Sequence, residues 1–112
     1  MDGRAVLVAD DEATVRYVVR KMLGDEYIII EATNGEEALD TARHDQPDII
    51  LMDIMMPKTD EATKHIPIIM LTAVGLELNK KLAQTMGAAG YITKPFKSTE
   101  LLEMISRLLP VS

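Results

Sequence analysis

The sequence predicts an α/β fold in which a parallel sheet is covered by helices on both faces. Short apolar runs typical of strands alternate with segments whose apolar residues recur at helical spacing. Strand–helix–strand units join parallel strands by right-handed crossovers. The run 49–52 is wholly apolar, as expected for a strand buried on both faces, and it ends at Asp53. We interpret residues 1–112 as one domain.

The composition narrows the class of protein. Hydrophobic residues make up 47% of the chain, which is enough for a core, and the net charge of −6 argues against direct binding to nucleic acid or an anionic membrane. The chain has no cysteine, which excludes disulfides and thiolate metal sites. Its apolar runs are shorter than a membrane span and no signal peptide precedes the first strand, so we expect a cytoplasmic protein.

The first half of the chain contains three predicted strands and two helices. The first strand covers 5–9 and runs into Asp10, Asp11 and Glu12. The helix that follows has an apolar stripe at 15, 18, 19, 22 and 23, and Gly24 suits its C-cap. After a second strand at 27–32, Asn34 and Glu37 form an N-cap pattern for a helix over 35–44, whose residues 38, 39 and 42 face inwards.

The second half continues the alternation. A fourth strand at 66–71 ends in Thr72, a helix over 76–86 is closed by Gly87, and a fifth strand at 90–93 is followed by Lys94. Ser98 is the predicted cap of a last helix, which Pro110 stops. Between the third and fourth strands only 54–66 is available, and 59–64 has almost no apolar face. We therefore expect the third helix to be shortened or missing.

Polar side chains gather at the carboxyl ends of four predicted strands. The first strand brings Asp10 and Asp11, the third Asp53, the fourth Thr72 and the fifth Lys94. Open α/β sheets bind ligands at this edge. Carboxylates crowded together attract Mg²⁺, and a carboxylate beside a lysine and a hydroxyl can accept a phosphoryl group. Taken alone, Asp10 and Asp11 are typical of a helix N-terminus, and Lys94 is typical of a solvated surface charge. Polar residues at four strand ends together are much more specific for a functional site.

With these residues in place, the sequence resembles the receiver domain of two-component response regulators, in the CheY-like superfamily. The resemblance covers nearly the whole chain and implies a flavodoxin-like five-stranded parallel sheet in the order 2-1-3-4-5. The matching stretches are Val8-Ala9-Asp10-Asp11-Glu12, Leu51-Met52-Asp53-Ile54-Met55-Met56-Pro57, Ile68-Ile69-Met70-Leu71-Thr72-Ala73, Gly87-Ala88-Ala89-Gly90-Tyr91 and Lys94-Pro95-Phe96.

The resemblance implies a role for each site residue. Asp53 would take a phosphoryl group from a histidine kinase or phosphotransfer protein. The metal ligands for Mg²⁺ would be Asp10, Asp11, Asp53 and the backbone carbonyl of Met55, with Asp10 acting through water.

The resemblance also implies a switch. Thr72 and Lys94 would bind the phosphoryl group, and Tyr91 would turn inwards as Thr72 moves. The Lys94-Pro95 bond would be cis. The face formed by the helix over 76–86, the fifth strand and the last helix would signal to a downstream output domain or protein.

The chain departs from the family after Pro57, where about three turns of helix are missing. Three explanations are open: a true deletion, a stretch of the natural chain absent from these 112 residues, or a second copy that covers the gap as a homodimer. Losing a helix would expose core residues such as Ile50 and Met52, at about 1.5–3 kcal/mol each. This cost favours the absent stretch over self-association. An intact mass near 12.4 kDa would exclude the absent stretch.

A second departure concerns dephosphorylation. In the family, the residues two after the phospho-acceptor and two after the threonine control the access of water. Here they are Met55 and Val74, both apolar, which predicts slow autodephosphorylation.

Three functions follow from these residues. The first is a phosphorylation-dependent signalling switch, which is not an enzyme beyond its own phosphorylation and dephosphorylation. The second is a Mg²⁺-dependent phosphatase with an aspartyl-phosphate intermediate, but such sites need an acid where this chain has Met55. The third is a receiver-like interaction module that is never phosphorylated.

Overall fold

A computed structural model describes residues 3–53, 65–72 and 88–109 of the chain. Five parallel strands form one sheet in the order β2-β1-β3-β4-β5, which confirms the predicted α/β fold and strand order. The strands are β1 (Ala5–Ala9), β2 (Ile28–Ala32), β3 (Ile49–Asp53), β4 (Ile68–Thr72) and β5 (Gly90–Thr93), and the described helices are α1 (Ala13–Leu23), α2 (Gly35–Asp45) and α3 (Ser98–Leu108). None of the helices in the described part of the chain is long and apolar enough to cross a membrane.

Some predictions fall outside the described residues. They are the short or missing third helix within 54–64, the helix over 76–86, and the placement of Met55 and Val74. The backbone of Thr72 is described as the last residue of β4, but its side chain is not.

The sheet separates two apolar layers, because successive side chains of a strand point to opposite faces. One layer joins Val6 and Val8 of β1 to buried residues of α1 and α3, such as Leu23 and Ile105. The other layer contains alternate strand residues, two alanines of α2 and Ile66 before β4. Its buried members are Leu7, Ala9, Ala32, Ala38, Ala42, Ile50, Met52, Ile66 and Met70. The described helices therefore cover both faces of the sheet, with α1 and α3 on one face and α2 on the other.

Ile50 and Met52, which a missing helix would be expected to expose, are buried in the structure. These side chains are only 3% and 6% exposed. Both belong to the apolar layer that includes Leu7 and Met70, and Ala88 and Tyr91 pack against that layer. Their burial removes the energetic cost on which the choice between an absent stretch and a second copy rested.

The ends of α1 and α2 follow the predicted residues. Gly24 is the C-cap of α1, and its N–H donates to the carbonyl of Arg20 at 2.8 Å. Its φ of −63° is ordinary; glycine is needed because a Cβ would lie 2.6 Å from that carbonyl oxygen. At the start of α2, the Asn34 side chain accepts from the N–H of Glu37 at 2.8 Å. The Glu37 carboxylate in turn accepts the N–H of Thr33 at 2.7 Å.

The start of α3 differs from the prediction. The N-cap is Lys97, and Ser98 is the first helical residue, so the predicted cap at Ser98 is wrong. The backbone N–H of Lys97 is satisfied by the Glu100 carboxylate at 3.0 Å, which replaces a hydroxyl cap. The helix packs closely on β5, where a Cβ at Gly90 would lie 2.8 Å from the sulfur of Met104.

Candidate functional site

The carboxyl ends of the central strands bring the predicted polar residues to one edge of the sheet. Asp10 directly follows β1, Asp53 is the last residue of β3, and Lys94 directly follows β5. Parallel register aligns these ends: Asp53 lies beside Leu71 of β4, which puts the backbone of Thr72 one residue further along. Thr72 is itself paired with Thr93, the residue before Lys94.

Three carboxylates form a compact acidic cluster at this edge. One oxygen from each of Asp10, Asp11 and Asp53 can be chosen so that all three lie within 4.8 Å of one another. Asp10 is completely buried, Asp53 is partly buried, and Asp11 is exposed. Hard oxygen donors at this spacing could hold a divalent metal ion, with Asp11 leaving one side open to solvent.

Asp10 is the most constrained of the three acids. Its N–H donates to the carbonyl of Ala32 on β2 at 3.1 Å. Of its carboxylate oxygens, Oδ1 accepts the N–H of Glu12 at 2.9 Å and Oδ2 accepts from the ammonium group of Lys94 at 3.2 Å. A buried charge is tolerable when it is paired and hydrogen-bonded in this way.

Lys94 faces the acidic cluster from β5. Its Nζ lies 3.2 Å from Asp10 and 3.5 Å from Asp53, and 26% of its side chain is exposed. Burial lowers the pKa of the Lys94 ammonium, but the attraction of Asp10 and Asp53 outweighs it, so that the pKa lies above its ordinary value. Lys94 is therefore a fixed positive charge at neutral pH, placed to meet an anion bound between the carboxylates.

The structure adds a residue that we did not predict. Arg16 on α1 donates from Nη1 to the backbone carbonyl of Asp10 at 2.7 Å and from Nε to Glu31 on β2 at 2.9 Å. The sequence carries a signal for this contact, because Glu31 is a charge inside an isoleucine-rich strand and Arg16 and Arg20 are one helical turn apart.

The other predicted site residues stand as follows. Tyr91 is half-buried on β5 and packs against the apolar layer that contains Met70. The Lys94-Pro95 peptide bond is cis, as the resemblance implied. The structure thus brings Asp10, Asp11, Asp53 and Lys94 together, whereas it does not describe the side chain of Thr72 or the positions of Met55 and Val74.

Known proteins are similar to this chain along almost its full length. CheY of Halobacterium salinarum, a chemotaxis protein, is 40% identical over 117 residues, which cover 96% of this chain and 98% of that protein. PhoB of Pseudomonas aeruginosa, a phosphate regulon transcriptional regulatory protein, is 40% identical over 123 residues, covering 97% of this chain and 53% of PhoB. The chain thus spans about half the length of this regulator.

The alignment with PhoB also bears on the short segment after β3. It runs over 123 positions, whereas this chain has 112 residues, so at least 11 positions (123 minus 112) have no residue from this chain. Because 97% of the chain is aligned, these gaps lie mainly within the domain. Internal gaps in this chain relative to PhoB agree with its short connection between the third and fourth strands.

A solved structure and a family model complete the comparison. The receiver domain of the sensor histidine kinase PA1611 from Pseudomonas aeruginosa, solved with magnesium in its active-site cleft, is 29% identical with a TM-score of 0.82 and covers 95% of this chain and 97% of that one. The model of the response regulator receiver domain matches residues 6–106. The family match and the similarity to CheY, together with the observed sheet order, show that the chain belongs to the response regulator receiver domain family.

Proposed function

We propose that residues 1–112 form a cytoplasmic phospho-accepting switch of a two-component system, with Asp53 as the phospho-acceptor. The observation that carries this proposal is the acidic cluster of Asp10, Asp11 and Asp53 with Lys94 facing two of its three members. An anionic group that binds beside Asp53 needs positive charge on its other sides, and Lys94 supplies one such charge.

The acidic cluster fits Mg²⁺ as the cofactor. Asp10, Asp11 and Asp53 offer only carboxylate oxygens, which suit a hard divalent cation, and the exposure of Asp11 leaves room for the waters that Mg²⁺ retains. The backbone carbonyl of Met55 is proposed as a further ligand. When bound, Mg²⁺ would offset the negative charge that accumulates on the phosphoryl oxygens.

The chain's own residues would carry the transfer. A carboxylate oxygen of Asp53 attacks the phosphorus of a phosphohistidine, so that an O–P bond forms as the P–N bond breaks. The histidine nitrogen leaves with the electron pair of that bond and takes up a proton. Lys94, already within 3.5 Å of Asp53, would hold a phosphoryl oxygen, and the hydroxyl of Thr72 would hold another.

Phosphorylation would then be read at β5 and α3. The new charge on Asp53 would attract Thr72, and Tyr91 would follow it from its half-buried position. This shift would change the affinity of the face formed by 76–86, β5 and α3 for an output domain or protein. The partners proposed are thus a histidine kinase or phosphotransfer protein on one side and this output partner on the other.

The test is labelling by a small phosphodonor. Incubation with acetyl phosphate and Mg²⁺ should add one phosphoryl group to the wild type, seen as a mass increase, and none to Asp53→Asn. Asp40→Asn is the matched control, because Asp40 is an exposed acid on α2 and should label normally. Equal labelling of Asp53→Asn and wild type would refute Asp53 as acceptor. No labelling of either would favour an unphosphorylated interaction module, and turnover of a generic phosphate ester would favour a phosphatase.

A further inference from the structure

We propose that Arg16 is a positioning residue for the acidic cluster, and that Glu31 on β2 orients Arg16 for this task. Arg16 would not touch Mg²⁺ or the phosphoryl group. It would hold the backbone that carries Asp10 and Asp11. This inference rests on the proposed function, because it concerns the affinity of the same carboxylates for Mg²⁺.

The contacts of Arg16 connect three parts of the fold. From α1, its Nη1 donates to the backbone carbonyl of Asp10 at 2.7 Å, and its Nε donates to Glu31 Oε1 at 2.9 Å. The side chain of Arg16 is only 14% exposed. Because the guanidinium group is planar and rigid, the bond from Nε to Glu31 also sets the direction in which Nη1 points. Glu31 therefore aims Arg16 at the carbonyl of Asp10.

The peptide group that Arg16 holds is the one between two metal-binding acids. The carbonyl oxygen of Asp10 and the N–H of Asp11 belong to the same planar unit, so its orientation affects both carboxylates. The N–H of Asp10 is already fixed to Ala32 on β2. The bond from Arg16 fixes the other side of Asp10, and the buried carboxylate is held between these two anchors. Loss of the bond would free this peptide group to rotate.

Arg20 provides an internal comparison. Its Nε and Nη2 both donate to Glu31 Oε2, at 2.8 and 2.6 Å, and 49% of its side chain is exposed. Within the described part of the chain, the side-chain hydrogen bonds of Arg20 all go to Glu31. Both arginines thus neutralise the same carboxylate, but only Arg16 also reaches the backbone of the site. A purely structural ion-pair network would make the two arginines equivalent in their effect on metal binding.

Electrostatics and positioning predict opposite signs for the loss of Arg16. Removing a positive charge near the acidic cluster should by itself strengthen the binding of a cation. Loosening the backbone of Asp10 should weaken it, since outer partners of metal ligands typically contribute about 10–100-fold to affinity. Weaker binding after loss of a positive charge would therefore identify positioning.

The experiment titrates isotopically labelled protein with MgCl₂ and follows the amide signals of Asp11 and Lys94 by NMR. We expect Arg16→Gln to weaken Mg²⁺ binding roughly tenfold, at the low end of the range for outer partners. Arg20→Gln should stay within about twofold of the wild type, because it leaves the carbonyl of Asp10 untouched. Without metal, the carbonyl carbon signal of Asp10 should shift in Arg16→Gln and remain in place in Arg20→Gln.

Several outcomes would overturn the inference. Unchanged or tighter Mg²⁺ binding by Arg16→Gln would do so while leaving the proposed function intact, and so would an equal weakening by both variants. If the wild type does not bind Mg²⁺, both the inference and the proposed metal site fail. Should Arg16→Gln not fold, Arg16→Lys replaces it: a single ammonium keeps the charge but loses the two-pronged geometry, so binding should again weaken, and wild-type affinity would contradict the proposal.

Discussion

The ammonium group of Lys94 lies 3.2 Å from Oδ2 of Asp10, a carboxylate that is completely buried. The same ammonium reaches Asp53 at 3.5 Å. Lys94 is thus the counter-ion of two of the three acids that we propose as Mg²⁺ ligands. A metal ion and the Lys94 ammonium would be attracted to the same carboxylates, so each should weaken the interaction of the other with them.

Replacing Lys94 with methionine should therefore strengthen Mg²⁺ binding while it impairs phosphorylation. A unit charge about 4 Å away is worth about 1–4 kcal/mol at effective dielectric constants between those of water and a protein surface. We expect roughly tenfold tighter binding by calorimetric titration. Labelling by acetyl phosphate should slow, because a cation that faces the phosphoryl oxygens is lost.

Without metal, the same variant should be less stable. Asp10 would keep its burial but lose its charged partner, so we expect a loss of about 1–3 kcal/mol, less than the ~3–5 kcal/mol of fully buried pairs because Lys94 is partly exposed. Lys21→Met on the exposed face of α1 is the control and should change neither property. Weaker Mg²⁺ binding in Lys94→Met would contradict the competition.

The ion pairs of Glu31 should make the stability of the protein depend on pH on the acid side. Arg20, and after it Arg16, lower the pKa of the Glu31 carboxyl below 4.5 and outweigh its partial burial. A lowered pKa in the folded state means that the stabilisation is complete above 4.5 and is lost as the pH falls through the folded value. Urea unfolding should show Glu31→Gln less stable by about 1 kcal/mol at neutral pH.

The difference between wild type and Glu31→Gln should then shrink as the pH falls below 4.5, the ordinary value for glutamate. Thr14→Ala, an exposed change on α1 at a side chain without a titratable group, is the comparison and should show no such trend. A stability difference that stays constant down to the acid unfolding transition would argue against ion pairing as its cause.

The cap of α2 gives a prediction for stability alone. Asn34→Ala removes the acceptor for the N–H of Glu37 and should lower the free energy of unfolding by about 0.5–2 kcal/mol. Asn34→Ser retains a short side-chain oxygen and should remain close to the wild type. Chemical denaturation of the three proteins measures both differences, and a neutral Asn34→Ala would show that the cap contributes nothing.

We expect the lifetime of the phosphorylated protein to depend on Met55 and Val74, which lie outside the described residues. Met55 and Val74 are apolar and cannot orient a water molecule, so phosphate should be released slowly from the phosphorylated chain. Met55→Asn should shorten the half-life by providing a polar group, whereas the neighbouring Met56→Asn serves as control. A wild-type half-life of seconds in a phosphate-release assay would count against this prediction.

Much of the site could be predicted because it depends on where strands end. Uniformly apolar runs locate the strands, parallel pairing aligns their carboxyl ends, and the residues that follow are then neighbours. This reasoning predicts that Asp10, Asp53 and Lys94 lie together, as they do in the structure. The N-cap at Asn34 can be predicted equally well, because a side-chain oxygen three residues before a glutamate is a local sequence signal.

What could not be predicted depends on side chains that meet across elements. The contact of Arg16 with the carbonyl of Asp10 depends on the angle at which α1 is set about its own axis, and apolar spacing fixes that angle only coarsely. The cap of α3 was misplaced because Glu100 satisfies the N–H of Lys97 without a hydroxyl. The sequence indicates that Ile50 and Met52 belong to the core, but apolar spacing does not show which side chains cover them.

The close approach of Met104 to Gly90 has a consequence for how the domain tolerates change. A side chain at position 90 would occupy space next to the sulfur of Met104, so the sizes of the two side chains are linked. Because Met104 is flexible and only half-buried, its sulfur can shift to admit Gly90→Ala at a small cost, and combining this change with Met104→Ala should remove that cost. The size of side chain that position 90 accepts is thereby set by the conformation that Met104 adopts.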